Sequence, residues 1–353
     1  MDELYYIAID MLKELITTPS ISRDEKDAAD IIFKYIKSAG IEPQRHGNNV
    51  WAIANNYNPQ QPTLLLNSHI DTVKPVDAWT YNPFTPLITE NGCLYGLGSN
   101  DAGASVVSLF ATFIHLNSIN RNYNLIFLAS CEEEVSGKNG IESVIPLLPH
   151  IDVAIVGEPT GMHPAVAERG LMVLDGDIKG ISGHAARNEG VNAIYNALPV
   201  IEKIRNLTFP KVSPTLGPVK ITVTQISAGT QHNVIPDSCR IVVDVRTTDA
   251  YTNIETLETI KNTAPEANFI PRSTRLNPSH IDIEHPIIKR LILMGKEPFG
   301  SPTLSDQALM PWQSVKLGPG QSSRSHTANE HIYLDEIRDA INTYIKLLTD
   351  LAL

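Results

Sequence analysis

Three apolar runs in the first half of the chain, Leu64-Leu65-Leu66, Leu125-Ile126-Phe127-Leu128-Ala129 and Val153-Ala154-Ile155-Val156, carry no polar residue at alternate positions. A strand wetted on one face alternates, whereas a strand covered on both faces does not, and such strands belong to parallel sheets sandwiched between helices. Each run stops at side chains that carry charge or imidazole. The first continues into Asn67-Ser68-His69-Ile70-Asp71-Thr72, the second into Glu132-Glu133-Glu134 and the third into Glu158-Pro159. In open α/β sheets ligands collect outside the carboxyl ends of the strands. Three such endings, with Asp101 on the glycine-rich stretch 96–103, predict one shared site. His69 and Asp71 are two positions apart, which in a strand puts both side chains on one side. A carboxylate can then accept the proton of one imidazole nitrogen while the other faces a metal.

The rest of the chain supports an α/β reading. Leu4, Ile7, Ala8, Met11, Leu12 and Leu15 recur at helical spacing before Pro19, and a second helix runs from about Asp24 to a stop at Gly40. Val50–Ala54 reads as a strand, and Val106, Val107, Leu109, Phe110, Phe113 and Ile114 as a helix entered from the 96–104 loop. After residue 171 the texture changes. A strand over 171–181, a helix over 191–204, an alternating strand at 219–224 with one buried face, its neighbour at 241–246, a helix near 254–260 and a strand near Phe269 give the order β-α-β-β-α-β. That order is the ferredoxin-like split βαβ arrangement. Near His280 the chain returns to the first domain, with helices at 287–294 and 334–348. The predicted division is therefore 1–170 with 281–353, and an insert at 171–280.

At 353 residues two domains are the default. Net charge is −11 with no basic run, which argues against nucleic acid or an anionic membrane as partner. The acidic start Met1-Asp2-Glu3 lacks a signal-peptide pattern, and no apolar run is long enough to cross a bilayer. Cys93, Cys131 and Cys239 are odd in number and widely spread, so neither disulfides nor a thiolate metal knuckle is indicated, and a reducing cytoplasm is expected. Cys131 reads as a small buried side chain, Glu132 as solvated or hydrogen-bonded near the site, and Gly96-Leu97-Gly98 as a poor dinucleotide fingerprint.

Cysteine-free nitrogen and oxygen donors suit catalysis with zinc, manganese or cobalt, and the candidates are His69, Asp101, Glu134, Glu158 and His326. Three carboxylates and two neutral imidazoles facing two dications leave one positive charge, which a bridging hydroxide cancels; the same hydroxide is the nucleophile of a two-metal hydrolase.

With these motifs assembled, the chain resembles the dinuclear zinc amidohydrolases and peptidases that include acetylornithine deacetylase, succinyl-diaminopimelate desuccinylase, aminoacylase and carboxypeptidase G. The resemblance is carried in order by Ser68-His69-Ile70-Asp71-Thr72, Gly98-Ser99-Asn100-Asp101, Glu132-Glu133-Glu134 with Gly137, Gly157-Glu158-Pro159-Thr160, Gly183-His184-Ala185-Ala186, and Gly318-Pro319-Gly320 with His326-Thr327. It implies a zinc-peptidase-like catalytic domain, with a mixed and largely parallel sheet flanked by helices, and an inserted ferredoxin-like lid and dimerisation domain. Asp101 would bridge two divalent ions, most simply zinc with cobalt as the alternative; His69 and Glu158 would complete one site, Glu134 and His326 the other. Asp71 would orient His69, and Glu133 would be the general base. Because adjacent turn residues point apart, Glu134 would face metal and Glu133 substrate. His184 would polarise the scissile carbonyl, arriving in relatives from the partner subunit of a homodimer, while Asn233, Arg246 and Gly320 would serve substrate binding. Leu97 and Gly103-Ala104 depart from relatives that carry Arg and Lys-Gly there.

The implied activity is deacylation of an N-acyl amino acid, an acetylornithine deacetylase-like step of arginine biosynthesis. Succinyl-diaminopimelate, N-acyl-citrulline, N-acyl-lysine and dipeptide or carboxypeptidase substrates stay open. So does a non-catalytic metal- or ligand-binding module, although such a module has no use for Glu133.

Overall fold

A computed structural model describes residues 2–353; Met1, the first residue of the acidic start, lies outside them. The chain forms two compact units: the segment up to Val166 with His280–Phe299 and Ser305–Leu353, and Ala167–Ser279 with Gly300–Leu304.

In the first unit the Asp2–Thr17 helix lays Tyr5, Ala8, Ile9, Leu12 and Ile16 along one buried stripe. The Lys26–Ser38 helix turns Ala28, Ala29, Ile32 and Ile36 inward, and the chain leaves it through Gly40 at φ 74°, a left-handed exit that suits glycine. In spatial order the sheet beneath runs Gln44–His46, Asn49–Ile53, Asn124–Ser130, Thr63–His69, Val153–Val156 and Gln313–Lys316. The last four are mutually parallel, and Asn49–Ile53 joins Asn124–Ser130 antiparallel.

Every residue of Thr63–His69 and Asn124–Ser130 is buried, as an unbroken apolar run requires. The Ala104–Asn117 helix is buried on nearly all sides and sets the Phe110 and Phe113 rings 5.5 and 5.9 Å from Phe127. Cutting Phe127 back to alanine would cost about 3–5 kcal/mol. The closing Leu334–Leu348 helix packs on it, and the buried Tyr344 hydroxyl donates to the Leu317 carbonyl at 2.5 Å. The architecture is mixed α/β, a largely parallel sheet flanked by helices. From the central Thr63–His69 strand the chain passes to Asn124–Ser130 on one side and then to Val153–Val156 on the other. That reversal opens a crevice at the carboxyl ends of these three strands.

The second unit holds a sheet ordered Lys220–Ala228, Ser238–Arg246, Met172–Lys179 and Ala267–Pro271, antiparallel throughout. Met172, Leu174 and Ile178 alternate inward and share a core with Ala197, Val200 and Ile204 of the Ala193–Asn206 helix and Leu257 and Ile260 of the Asn253–Thr263 helix. Thr252 and Glu255 form a reciprocal capping box at the start of the latter helix. The expected buried face at 219–224 is not obtained. Lys220–Ala228 alternates, but Ile221 and Val223 are only partly buried, because an edge strand has a neighbour on one side alone. Among the described residues no helix is long and apolar enough to cross a membrane, and all three cysteines are free and buried.

Candidate metal centre

His69 is the last residue of the central strand. Its Nδ1 lies 2.9 Å from the Asp71 carbonyl oxygen and 3.4 Å from the Asp71 carboxylate, so the ring donates backward and turns Nε2 outward. Nε2 lies 3.2 Å from Asp101 Oδ1 and 3.7 Å from Glu158 Oε1. The Asp71 carboxylate also holds the turn after the neighbouring strand. Oδ1 accepts the Glu133 N–H at 3.0 Å, and Oδ2 accepts the Glu134 N–H at 3.1 Å and the Ser22 hydroxyl at 2.7 Å. That turn, Glu133–Val135, does not fan its two acids apart as adjacency suggested. One donor atom from each of His69, Glu133 and Glu134 lies within 4.8 Å of the others.

Two further groups meet the same spacing and share Asp101: His69, Asp101 and Glu158, and Asp101, Glu134 and His326. Asp101 Oδ1 faces His69, while Oδ2 lies 3.7 Å from His326 Nε2, which also meets a Glu134 carboxylate oxygen at 3.0 Å. All five candidate ligands therefore converge in one unit, and a nitrogen and carboxylate donor set of this kind fits a pair of divalent cations sharing one carboxylate.

Electrostatics points the same way. Burial pushes Glu158 up to about 8, with the Asp101 charge adding to it. Burial also lifts Glu133 well above the carboxylate range, Asp306 to about 6 and Glu330 to about 8. Burial would raise Asp101 and Asp71 as well, but the His69 ring beside them outweighs it and both are lowered. Burial opposes the charge on His69, yet Asp101 and Asp71 raise it well above its usual value; the Glu134 hydrogen bond takes His326 to about 9. Buried negative charge thus exceeds what two imidazoles and the nearby Lys316 offset, and divalent cations would relieve that excess.

Three buried carboxylates of the first unit escaped the sequence reading. Glu330 Oε2 accepts the Gly98 N–H at 3.0 Å, and Oε1 accepts the Asn100 and Asp101 N–H groups at 2.9 Å each. These N–H groups are the ones a phosphate-binding glycine loop would offer, so the dinucleotide likeness of 96–98 ends here. Asp306 accepts the Ser130 hydroxyl at 2.5 Å. Glu25 accepts the N–H of Arg23 at 2.5 Å, the N–H of Glu132 at 3.3 Å and the Asn48 amide at 3.0 Å. Glu132 is buried and accepts from the Asn139 amide at 2.9 Å, Cys131 is a buried thiol whose pKa burial drives up, and Leu97 is buried.

Within the second unit, Gly183 and His184 pair with Ile235 and Val234, and the Ala185 N–H donates to the Asn233 carbonyl at 3.0 Å, so His184 and Asn233 lie together. His184 Nδ1 accepts the Ala186 N–H at 3.1 Å, which leaves the proton of the neutral ring on Nε2. Arg246 is not with them. It ends the nine-residue Ser238–Arg246 strand, about 26 Å from its start at 3.3 Å per residue. Its fork is engaged by Asp244 at 2.9 and 3.1 Å. Gly320, in the first unit, has φ 84°, and a Cβ there would stand 2.3 Å from Asn100 Oδ1; the close approach it permits is to Asn100.

The sequence profile of the peptidase family M20/M25/M40 matches residues 65–350. A succinyl-diaminopimelate desuccinylase of Blochmanniella pennsylvanica is 31% identical over 266 residues, covering 69% of each chain. A peptidase M20 domain-containing protein of Schizosaccharomyces pombe is 27% identical over 96% of this chain and 84% of its own length. Among solved structures, a dinuclear metal binding peptidase of Bacillus subtilis superposes with a TM-score of 0.73 at 18% identity, covering 99% of this chain and 98% of that one. On this match of profile, sequence and fold, the chain belongs to the peptidase family M20/M25/M40 and is a metallo-amidohydrolase of that family.

Proposed function

We propose that this protein hydrolyses the amide bond of an N-acyl amino acid at two divalent cations, most simply zinc, held by His69, Asp101 and Glu158 and by Asp101, Glu134 and His326. The observation that carries this reading is the pair of donor groups sharing Asp101, with the half-buried Glu133 beside them. Such ions, when bound, polarise a carbonyl and lower the pKa of a water. The other steps belong to the chain. Glu133 takes a proton from the attacking water and delivers it to the leaving amine, a task suited to a carboxylate whose pKa burial has raised. Asp71 holds Glu133, Glu134 and His69 in mutual register through the contacts above. His184, with its proton on Nε2, donates to the carbonyl oxygen as negative charge develops there. Asn233 binds substrate, and Arg246 offers a fork to a substrate carboxylate in competition with Asp244.

The separation of Arg246 from His184 and Asn233 supports a homodimer. Groups at opposite ends of one strand cannot both reach one small substrate, so a second copy of the chain would supply the His184 and Asn233 end. The edge strand Lys220–Ala228 is one part of the second unit able to pair with its own copy. Three buried free thiols suit a reducing cytoplasm.

For the substrate, an N-acetylornithine-type deacylation in arginine biosynthesis is the assignment that follows from the family resemblance. The desuccinylase relatives favour a second one, removal of a succinyl group from a diamino acid. The test is protein stripped of metal, reloaded with zinc or cobalt, and offered N-acetyl and N-succinyl forms of ornithine, citrulline, lysine and diaminopimelate alongside dipeptides. Turnover of an N-acyl amino acid only after reloading is expected. Dipeptide cleavage without deacylation would replace the substrate class, and two bound ions with no turnover on any substrate would leave the binding-module reading.

A further inference from the structure

Two irregular segments of the first unit hold each other through hydrogen bonds that the proposed hydrolysis does not itself use. Glu330 is 2% exposed, and both of its oxygens are spent as acceptors on the turn before Asp101: Oε2 on the Gly98 N–H at 3.0 Å, Oε1 on the Asn100 and Asp101 N–H groups at 2.9 Å. The Glu330 carbonyl also accepts the Gly96 N–H at 3.1 Å. In return the Asn100 side chain grips the segment before His326. Its Oδ1 accepts the Gln321 N–H at 3.0 Å, and its Nδ2 donates to the Gln321 carbonyl at 3.1 Å and the Ser325 hydroxyl at 3.2 Å. Gly320 makes room for that grip.

Each segment carries one donor of the second group, Asp101 or His326, and neither donor is fixed by a regular helix or strand. Asp101 has φ −120° and ψ 98° inside a broken turn, and His326 stands at φ 57° in the left-handed region. Their mutual aim, Asp101 Oδ2 to His326 Nε2 at 3.7 Å, therefore depends on what ties one segment to the other.

We propose that Glu330 is a positioning residue which, with Asn100, aims the Asp101 carboxylate at His326 and so sets the affinity of the Asp101–Glu134–His326 cation site. This rests on the metal centre proposed above. An amide in place of the carboxylate cannot do the same work, because its NH2 would be set against the Gly98 N–H or against the pair from Asn100 and Asp101. Partners behind metal ligands commonly affect ion affinity about 10- to 100-fold.

The experiment is a cobalt(II) titration of metal-free wild type and Glu330→Gln at a temperature where both are folded, followed by visible absorption and by equilibrium dialysis with elemental analysis. Wild type is expected to bind two ions, and the variant to bind its first ion normally and its second about 10- to 100-fold more weakly, with an altered cobalt spectrum. A purely structural role would lower the melting temperature of the metal-free variant and leave both affinities and the spectrum as in wild type; that result overturns the proposal. If Glu330→Gln does not fold, Asn100→Ala carries the test, since it keeps all of the Glu330 contacts and cuts only the grip on 321–325, and it should weaken the second ion in the same way. Wild type that fails to bind two ions would overturn the metal centre itself, whereas variants indistinguishable from a two-ion wild type would overturn the Glu330 role alone.

Discussion

Asp71→Asn tests whether the acid at the end of the central strand works through the neighbouring turn. Asp71 is fully buried, and its carboxylate accepts from Glu133 N–H, Glu134 N–H and the Ser22 hydroxyl while facing His69 Nδ1. A carboxamide keeps one acceptor oxygen and presents an NH2 in place of the other. Whichever way it sits, one part-buried N–H of the Glu133–Glu134 pair loses its acceptor, at up to about 1–3 kcal/mol of folding stability. The activity loss should be larger than that figure suggests, because both the general base and a cation ligand ride on the turn. A misplacement of about 1 Å at a reacting group costs about 100-fold in rate.

Steady-state kinetics on the fastest N-acyl amino acid of the panel, with melting curves for the same preparations, should show kcat down by about two orders of magnitude, with KM changed far less. Ser22→Ala is the control. It removes one contact to the same oxygen, worth about 1 kcal/mol, and leaves both turn contacts in place, so kcat should stay within about fivefold. An Asp71→Asn enzyme with near-normal kcat, or a Ser22→Ala enzyme equally damaged, would refute the turn-anchoring role.

Further outcomes follow from the same geometry. Glu133→Ala should retain both ions by elemental analysis and lose about 10²- to 10⁴-fold in kcat, the range of a general base; normal turnover would remove the base assignment. His326 is raised to about 9 in the metal-free protein by its bond to Glu134. A raised folded-state value means its ion-pair contribution to stability is complete below about 6.5 and fades as pH rises toward 9. A cation must displace that proton, so ion affinity should rise over the same interval, with proton release seen as buffer-dependent heats in calorimetry; heats independent of buffer would contradict it. Mixing inactive His184→Ala with inactive Glu133→Ala should restore part of the activity through hybrid dimers, and no recovery after demonstrated subunit exchange would count against a shared site.

The sheet was legible because full burial leaves a plain trace: Thr63–His69 and Asn124–Ser130 are buried at every position, and no polar alternation interrupts their apolar runs. His69, Glu133, Glu134 and Glu158 were legible for the same reason, since each follows directly from such a run. His326 was not. It sits in a loop at φ 57°, with nothing in its neighbourhood to mark it except the family motif. In the second unit the alternation of 219–224 gave the strand correctly and its burial wrongly, because a side-chain pattern records which face points inward and not whether an edge strand has neighbours to cover it. The convergence of Glu133 with Glu134 was hidden too, since it depends on the Asp71 carboxylate pulling two consecutive N–H groups toward one point.

The acids that remained invisible share a physical reason. Glu134 and Glu158 are declared by local sequence, because each stands just past a buried strand that opens to the crevice. An acid that clamps backbone is defined by the N–H groups the fold delivers to it. Glu330 meets Gly98 across 232 residues, Asp306 meets Ser130 across 176, and Glu25 meets Glu132 across 107. No periodicity reaches that far. Counting carboxylates near strand ends would therefore assign too many ligands to this centre. What separates the two kinds is the partner: the oxygens of Asp101 and Glu134 face imidazole nitrogens and one another's neighbourhood, whereas those of Glu330 are already filled by peptide N–H groups. Glu330 spends three of its roughly four acceptor positions on that turn, so an ion there would compete with the turn it holds, and the candidate cation donors and the clamp proposed to aim them are different residues.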